Sequence, residues 1–595
     1  MHSINTKMSQ NKQQKATFGG FDFSNIKGDF LGGLTGAIIA LPMGLAFGIQ
    51  SGLGAEAGLY TAIILAIIAA FVGGTKTLLS DPTGPMTVVA ATIVSGALVA
   101  VNDDMSMAMP IIMATFVLSG IFQIMFGFLG IAKLVKFMPY PVISGFMGGI
   151  GVIIIILQLF PLLGHASPRG MLNILGSLGT PIANINRSAL LLGGGTIALI
   201  YLLPLINKKI PSILVALIGV TVVSVVFPME VPRIGVIPTG IPPFQIGTLL
   251  SLEMQHLSLI LVPAITLAAL GTIDTLLTST VADSLTKTKH NGNKELKGQG
   301  LGNLVVALFG GIPGAGATMG TVTNIRTGGK TNLSGIFKGL ALLVIVLGLG
   351  YYVQFIPMAV LAGILVTIGI GIIDVKGLQL LPKVPTSDAV ILVVTLLVTV
   401  FDNLLDAVAI GTMISFIVFM KNMSDATLKS TQAGLLGDIL QEQGLPEALA
   451  KNVYIKHLEG PLFFGFADDF KARTEQITDV EVVVMHLDHV PFMDETGLLV
   501  LEDSILHLEN KGIEVYLTGL QDTVEERLRI VGIIPQYIKE EELFKNLDDC
   551  IVYLAKQYNC KHVTGEIEGL FEAALKKRNA TAETGTTVPH PILIQ

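Results

Sequence analysis

Pro82-Thr83-Gly84-Pro85-Met86-Thr87 and Gly316-Ala317-Thr318-Met319-Gly320-Thr321 are the two stretches that decide how this chain is read. Each sets threonines and small residues beside Gly or Pro breakers, just ahead of a short apolar stretch. Either one alone is explained by a kink that lets helices pack closely. Their recurrence at corresponding places in two halves of an apolar region points to an inverted-repeat transporter, whose broken helices meet at a substrate site near the membrane midplane. A helix start carries unpaired N–H groups and about half a positive charge. Two such starts facing each other suit an anion without any cationic side chain. Thr83 and Thr318 add hydroxyl donors. No Lys or Arg lies between Ile312 and Asn324, so the site is expected to lack a fixed cation.

The surrounding composition agrees. The 595 residues are 51% hydrophobic and only 14% charged, against roughly 25% charged in soluble domains, and the mean hydropathy is +0.70. Too few polar side chains exist to cover a soluble surface. Apolar runs occupy 31–49, 59–72, 109–129, 142–163, 190–206, 213–226, 257–278, 333–353, 358–373, 389–400 and 404–420. Shorter Gly-rich stretches lie at 83–98, 301–312 and 318–323. A spanning helix needs about 20 apolar residues, so several of these about fourteen crossings are short or broken. With the N-terminus inside, the inner loops carry Lys76, Lys133, Lys136, Lys208, Lys209, Lys287, Lys289, Lys294, Lys297, Arg326, Lys330, Lys376, Lys383 and Lys421. The outer loops carry Arg169, Arg187 and Arg233, with the acidic Asp103, Asp104, Glu230 and Glu253. That asymmetry predicts fourteen crossings with both termini cytoplasmic.

Asp274 lies within the eighth crossing, in Thr272-Ile273-Asp274-Thr275-Leu276-Leu277-Thr278. A carboxylate at membrane depth costs about 3 kcal/mol on insertion scales. A bound cation would account for it. Asp274 and Thr278, four apart, share a helix face. With oxygens of Gly316 and Thr318 they would form a hard oxygen cage suited to sodium, whose charge completes the anion site. A protonated Asp274, one bonded only to hydroxyls, or a proton-coupled carboxylate are the alternatives.

Beyond Met423 charges become frequent. Strands are expected at 453–458, 482–487 and 513–517, with helices at 468–478, 497–510 and 523–531, as in a small α/β domain. The resulting division is a cytoplasmic tail (1–28), a transport domain (29–423), a linker with a helical stretch (424–451), the α/β domain (452–558) and a partly disordered tail (559–595). The opening segment, with Lys7, Lys12 and Lys15, lacks the apolar core of a signal peptide. Cys550 and Cys560 make neither a disulfide framework nor a CxxC metal pattern. The net charge of −7 argues against nucleic acid. Thr327-Gly328-Gly329-Lys330-Thr331 ends like a phosphate loop but has Asn324 where the first Gly is needed. Gly314, Gly316 and Gly320 do not keep dinucleotide-loop spacing. His165, His256 and His290, and likewise Asp402 and Asp406, are read as solvated, and Gly145, Gly148 and Gly149 as helix-packing positions. No nucleophile–base pair or metal cluster suggests an enzyme, and no cofactor is expected besides a co-transported sodium ion.

Leu41-Pro42-Met43-Gly44-Leu45-Ala46-Phe47-Gly48, Ala57-Gly58-Leu59-Tyr60 and the Gly316–Gly320 and Thr327–Thr331 stretches resemble the SulP family of anion transporters, the sulfate permeases and their prestin-like relatives. The resemblance spans roughly residues 20–550. Val281-Ala282-Asp283-Ser284-Leu285-Thr286, Asn293-Lys294-Glu295-Leu296 and Gly298-Gln299-Gly300-Leu301-Gly302-Asn303 resemble its cyanobacterial, sodium-dependent bicarbonate branch. The resemblance implies seven-plus-seven inverted repeats with core and gate subdomains. It implies anion contacts at Thr83, Ala317 and Thr318, and sodium contacts at Asp274, Thr278, Gly316 and Thr318. Met43 stands where many relatives have Gln, the Arg some carry near Gly320 is absent, and Pro313 replaces a small residue of the bicarbonate branch. Leu487-Asp488-His489-Val490-Pro491 and Asp494-Glu495-Thr496-Gly497 resemble a STAS domain, in which Thr496 holds the position of a phosphorylatable hydroxyl. The other reading of Thr496 is a plain capping residue.

Together these readings predict sodium-coupled bicarbonate symport by an elevator-like movement, in a homodimer at a bacterial inner membrane. The rivals are proton-coupled or exchange transport of sulfate or a small dicarboxylate, a nucleobase transporter of the same architecture, and a membrane-anchored signalling protein whose soluble domain is the working part.

Overall fold

The computed structural model describes residues 17–18, 21–134, 137–168, 171–207, 211–234, 243–252, 256–402, 404–430, 432–435 and 447–558. The expectations for the 559–595 tail with Cys560, for Lys7, Lys12 and Lys15, for Lys136, Arg169, Lys208, Lys209 and Glu253, and for linker residues 436–446 lie outside these residues. The chain forms two compact units, divided between residues 415 and 416.

Among the described residues of 26–430, fourteen helices have nine or more residues. In chain order they are α1 (Ile26–Gln50), α2 (Ala55–Val72), α3 (Gly84–Ala100), α4 (Met105–Leu129), α5 (Tyr140–Leu157), α6 (Arg187–Ile206), α7 (Ser212–Val226), α8 (Leu257–Thr286), α9 (Gly292–Leu308), α10 (Thr318–Arg326), α11 (Leu333–Val353), α12 (Met358–Ile372), α13 (Thr386–Phe401) and α14 (Leu404–Ser430). Helices α1, α2, α4, α5, α6, α8 and α14 hold stretches long and apolar enough to cross a membrane. Helices α3, α7, α12 and α13 are apolar but shorter, as is the Leu333–Gly348 stretch of α11, while α9 and α10 are more polar, and the expected fourteen crossings fit the series. Polar α9 is tolerated because it packs against α2 and α4, with Glu295, Gln299 and Asn303 buried there. Such residues inside a membrane belong in a bundle interior.

The helices pack as two groups. One gathers α1–α4 with α8–α11, and the other gathers α5–α7 with α12 and α13. These are the expected core and gate. Glycine makes the tightest approaches possible. A Cβ on Gly58 in α2 would lie 1.9 Å from the Gly44 carbonyl oxygen of α1. Gly145 and Gly149 do pack against α13, where a Cβ would lie 2.4 Å from the Leu392 carbonyl oxygen and 2.5 Å from Thr399 respectively.

Three helices exceed the sequence expectation. Helix α8 continues eight residues beyond Thr278; the hydroxyls of Thr280, Ser284 and Thr286 in that extension are accommodated by donating to the carbonyls four residues earlier. Helix α9 starts at Gly292 rather than near Leu301, where the Asn291 side chain accepts from the Lys294 N–H. Helix α14 runs to Ser430, through the boundary expected at 423.

The second unit contains a sheet of five strands: β3 (Gln432–Leu435), β4 (Val453–Glu459), β5 (Val482–His489), β6 (Glu514–Thr518) and β7 (Leu543–Phe544). They lie in that order, β3 antiparallel to β4 and the others parallel. Helices α15 (Ala467–Glu475), α16 (Glu495–Asn510), α17 (Asp522–Val531) and α18 (Leu547–Gln557) complete it. The central strands and α15–α17 match expectation. Strands β3 and β7 were not legible, the former lying within the supposed linker and the latter only two residues long. In the first unit, β1 (Ser80–Asp81) and β2 (Ala315–Gly316) pair antiparallel.

The Gly58 contact meets backbone, which cannot rotate away. Gly58→Ala is therefore expected to lower the stability of the detergent-solubilised protein by about 1–3 kcal/mol, read as a fall in thermal midpoint. Gly194→Ala, at a position with nothing within 4 Å, should leave the midpoint unchanged or raise it.

Candidate anion and cation site

The two stretches that opened the sequence reading meet. Ser80 pairs with Gly316 and Asp81 with Ala315, and the Ala317 N–H donates to the Leu79 carbonyl at 2.8 Å. Each two-residue strand leads into a helix start. Thr83 precedes α3 in extended conformation and Ala317 precedes α10 likewise. Irregular backbone at membrane depth is tolerated only where other groups bond it. Here side chains supply those bonds. Thr61 donates to the Ile312 carbonyl at 2.6 Å. Asn303 brackets Gly314, donating to its carbonyl and accepting from its N–H. The Gly316 N–H donates to Thr275 at 3.2 Å, and the Leu79 N–H to Thr321 at 3.0 Å.

The candidate residues converge on this crossing. Thr83 Oγ1 donates to Asp274 Oδ2 at 2.7 Å. Thr278 Oγ1 donates to the Gly316 carbonyl at 2.9 Å and lies 2.7 Å from Thr318 Oγ1. Asp274 and Thr278 are buried together on one face of α8. Thr83 and Ala317 are also buried, whereas Thr318 is exposed. Two hydrogen-bonded groups, Thr83 with Asp274 and Thr278 with Thr318 and the Gly316 carbonyl, therefore lie along one face of α8 beside the starts of α3 and α10, and their carboxylate, hydroxyl and carbonyl oxygens are of the kind a hard cation takes.

The expectation of a site without a fixed cation needs correction. Lys338, on α11 and fully buried, forms an ion pair with Asp81 and donates to the Ser80 carbonyl at 2.6 Å. A Cβ on Gly320 in α10 would lie 3.4 Å from Asp81 Oδ2. The lysine was missed because it sits apart in sequence from both broken stretches, within an apolar helix. Its partner makes the pair neutral, so the positive ends of the two helices remain the net field at the crossing. Burying such a pair needs every remaining donor satisfied, and the Ser80 carbonyl takes one of them.

Two loops at the edge of this region wrap internal carboxylates. Asp29 accepts from the backbone N–H groups of Lys330 and Thr331 and from the Thr331 hydroxyl. Thr327–Thr331 thus resembles a phosphate loop because its backbone holds an anionic group, here a carboxylate of its own chain. Glu295 does the same for Gly74 and Thr75, at 2.7 Å each. His290 is not merely solvated: its Nδ1 lies 2.7 Å from Asp283. His165 Nε2 lies 2.6 Å from the Asn184 carbonyl.

A cavity of about 1100 Å³ opens between core and gate, lined in part by Ala46, Gln50, Val88, Ile153, Leu365 and Thr399. Asp402 also lines it. Thr83, Ala317 and Thr318 are not among its walls. Ile154 of α5 and Ile372 of α12 press on the start of α3, where a Cβ on Gly84 would come within 2.9 Å of both.

In the second unit, Asp494 caps α16, accepting from the Gly497 N–H at 2.8 Å. Thr496 is therefore not the capping residue. It sits half-buried in the first turn.

Paired half-helices in an eight-helix core beside a gate, with a STAS-like unit after them, describe a multi-pass anion transporter. Residues 26–395 match the sulfate permease family and residues 449–550 the STAS domain, and the chain belongs to that family. It is 41% identical over 545 residues to the bicarbonate transporter BicA of Synechocystis sp., covering 89% of this chain and 95% of that one. The solved transmembrane domain of a cyanobacterial bicarbonate transporter BicA is similar at 44% identity, with a TM-score of 0.59 over 66% of this chain and 98% of that one. The structure of SLC26A9, 20% identical, shares the fold at a TM-score of 0.76 over 90% of this chain and 91% of that one.

Removing one partner of the Lys338–Asp81 pair leaves a buried charge unpaired. Lys338→Met is expected to destabilise the solubilised protein by about 3–5 kcal/mol. Adding Asp81→Asn should recover much of that loss in a double-mutant cycle of thermal midpoints.

Proposed function

We propose that this chain is a secondary active transporter that carries bicarbonate together with sodium. The carrying observation is that Asp274, bonded to Thr83, and Thr278, bonded to Thr318 and the Gly316 carbonyl, share one buried face of α8 beside the starts of α3 and α10. The likeness to a bicarbonate transporter over nearly the whole chain supports the choice of anion. In this reading Thr83, Ala317 and Thr318 present hydroxyl and N–H donors to the anion. Asp274, Thr278, Gly316 and Thr318 present oxygens to sodium.

Sharing of groups is what couples the two. Thr318 serves both ions, and Asp274 reaches Thr83 through one hydrogen bond. Sodium at the carboxylate frees the Thr83 hydroxyl from Asp274 and adds the charge that favours the anion. Each ion thereby raises the affinity for the other, as reciprocal coupling requires. The core–gate contact at Gly84, Ile154 and Ile372 is apolar and costs no hydrogen bonds to slide. That supports an elevator-like movement of the core, with both ions bound, against the gate. We extend the reading to a homodimer in a bacterial inner membrane with both termini cytoplasmic. The second reading, proton-coupled or exchange transport of sulfate, draws on the sulfate permease match and on a buried carboxylate able to carry a proton.

Proteoliposomes holding the purified chain should take up labelled bicarbonate faster under an inward sodium gradient. Equal rates with and without the gradient would sink sodium coupling, and stimulation by a proton gradient alone would favour the second reading. Asp274→Asn should raise the sodium concentration for half-maximal stimulation at least about tenfold, equivalent to about 1.4 kcal/mol, while membrane insertion stays intact.

A further inference from the structure

The second unit gathers three imidazoles and two carboxylates at one end of its sheet. His457 and Glu459 close β4, and His486, Asp488 and His489 close the adjacent β5. One ligand atom each from His457, Asp488 and His489 lies within 4.8 Å of the other two. Asp488 Oδ1 is 2.8 Å from His489 Nδ1 and 3.2 Å from His486 Nε2. His457 Nε2 is 3.2 Å from Glu459 Oε1. The His457 ring stands 5.0 Å from that of His486 and 5.7 Å from that of His489. His457 is buried, Asp488 half-buried and His489 exposed, so the cluster reaches from the sheet interior to the surface. The carboxyl ends of parallel strands are where open α/β sheets place their ligands.

We propose that His457, Asp488 and His489 form a binding site for a zinc-class divalent metal ion, its fourth position open to solvent. Imidazole nitrogens and carboxylate oxygens are the donors zinc takes, at about 2.0–2.2 Å. Donors around a tetrahedral zinc stand roughly 3.4 Å apart, so small side-chain rotations close the present spacing. His486 acts from behind. Its Nδ1 lies 2.8 Å from Thr518 Oγ1 and its Nε2 3.2 Å from Asp488 Oδ1, behind the ligating carboxylate, where outer-shell groups sit. The site lies five residues before Asp494, the cap of α16, so a bound ion would fix the loop that carries Thr496 into that helix. The proposal stands apart from the transport reading, and neither depends on the other.

The test is cobalt(II) titration of the full-length, chelator-treated protein in detergent, with zinc as competitor. The wild type should bind cobalt with the intense visible absorption of tetrahedral coordination, and zinc should abolish that band. His489→Ala, at an exposed position, should weaken cobalt binding at least about tenfold, since even outer-shell changes cost that much. His165→Ala, in the first unit, should not. Zinc should raise the thermal midpoint of the wild type but not of His489→Ala. No tetrahedral band in the wild type, or wild-type binding by both His489→Ala and His457→Gln, would overturn the proposal.

Discussion

Two broken membrane segments must have their backbone groups bonded without water, and the first unit is organised around that requirement. The β1–β2 crossing satisfies only a few groups itself. Thr61, Thr275, Asn303 and Thr321 satisfy others, from four different helices. Each is a buried polar side chain with a backbone partner at the crossing. The polar residues of α8, α9 and α10 are thus the scaffold of the site as well as its ligands.

Charge follows the same economy. The helix starts at Thr83 and Ala317 contribute partial positive charge, and the buried Asp81–Lys338 pair contributes position but no net charge. Lys338 holds the Ser80 carbonyl, opposite Gly316 in the register, whose own carbonyl accepts from Thr278. A shift of α11 would therefore be felt at the candidate cation ligands. Asp29 and Glu295 restrain the loops around α11 and β1 in the same way, by collecting backbone N–H groups.

The second unit rests on ordinary hydrophobic logic. Strands β4–β6 are buried on both faces, as parallel strands require, and α15–α17 cover one side while α18 covers the other. Against that apolar background, a histidine cluster at the strand ends stands out as a departure from packing needs.

Much of this was legible in the chain itself. Apolar runs marked the helices of the first unit, and the paired Gly-Thr stretches marked the half-helices. Asp274 drew notice because a carboxylate in an apolar run needs a partner. Alternating strands and helices marked the α/β unit. What the sequence could not yield was partnership across distance. Lys338 and Asp81 are 257 residues apart, and no local pattern announces their pairing. The polar run at the start of α9 read as loop because its buried partners lie on α2, α4 and the β1 loop. Local periodicity records which face of an element is apolar. Only the folded chain decides which distant backbone atom a buried polar side chain will meet, because that choice depends on packing between helices and not on any one of them.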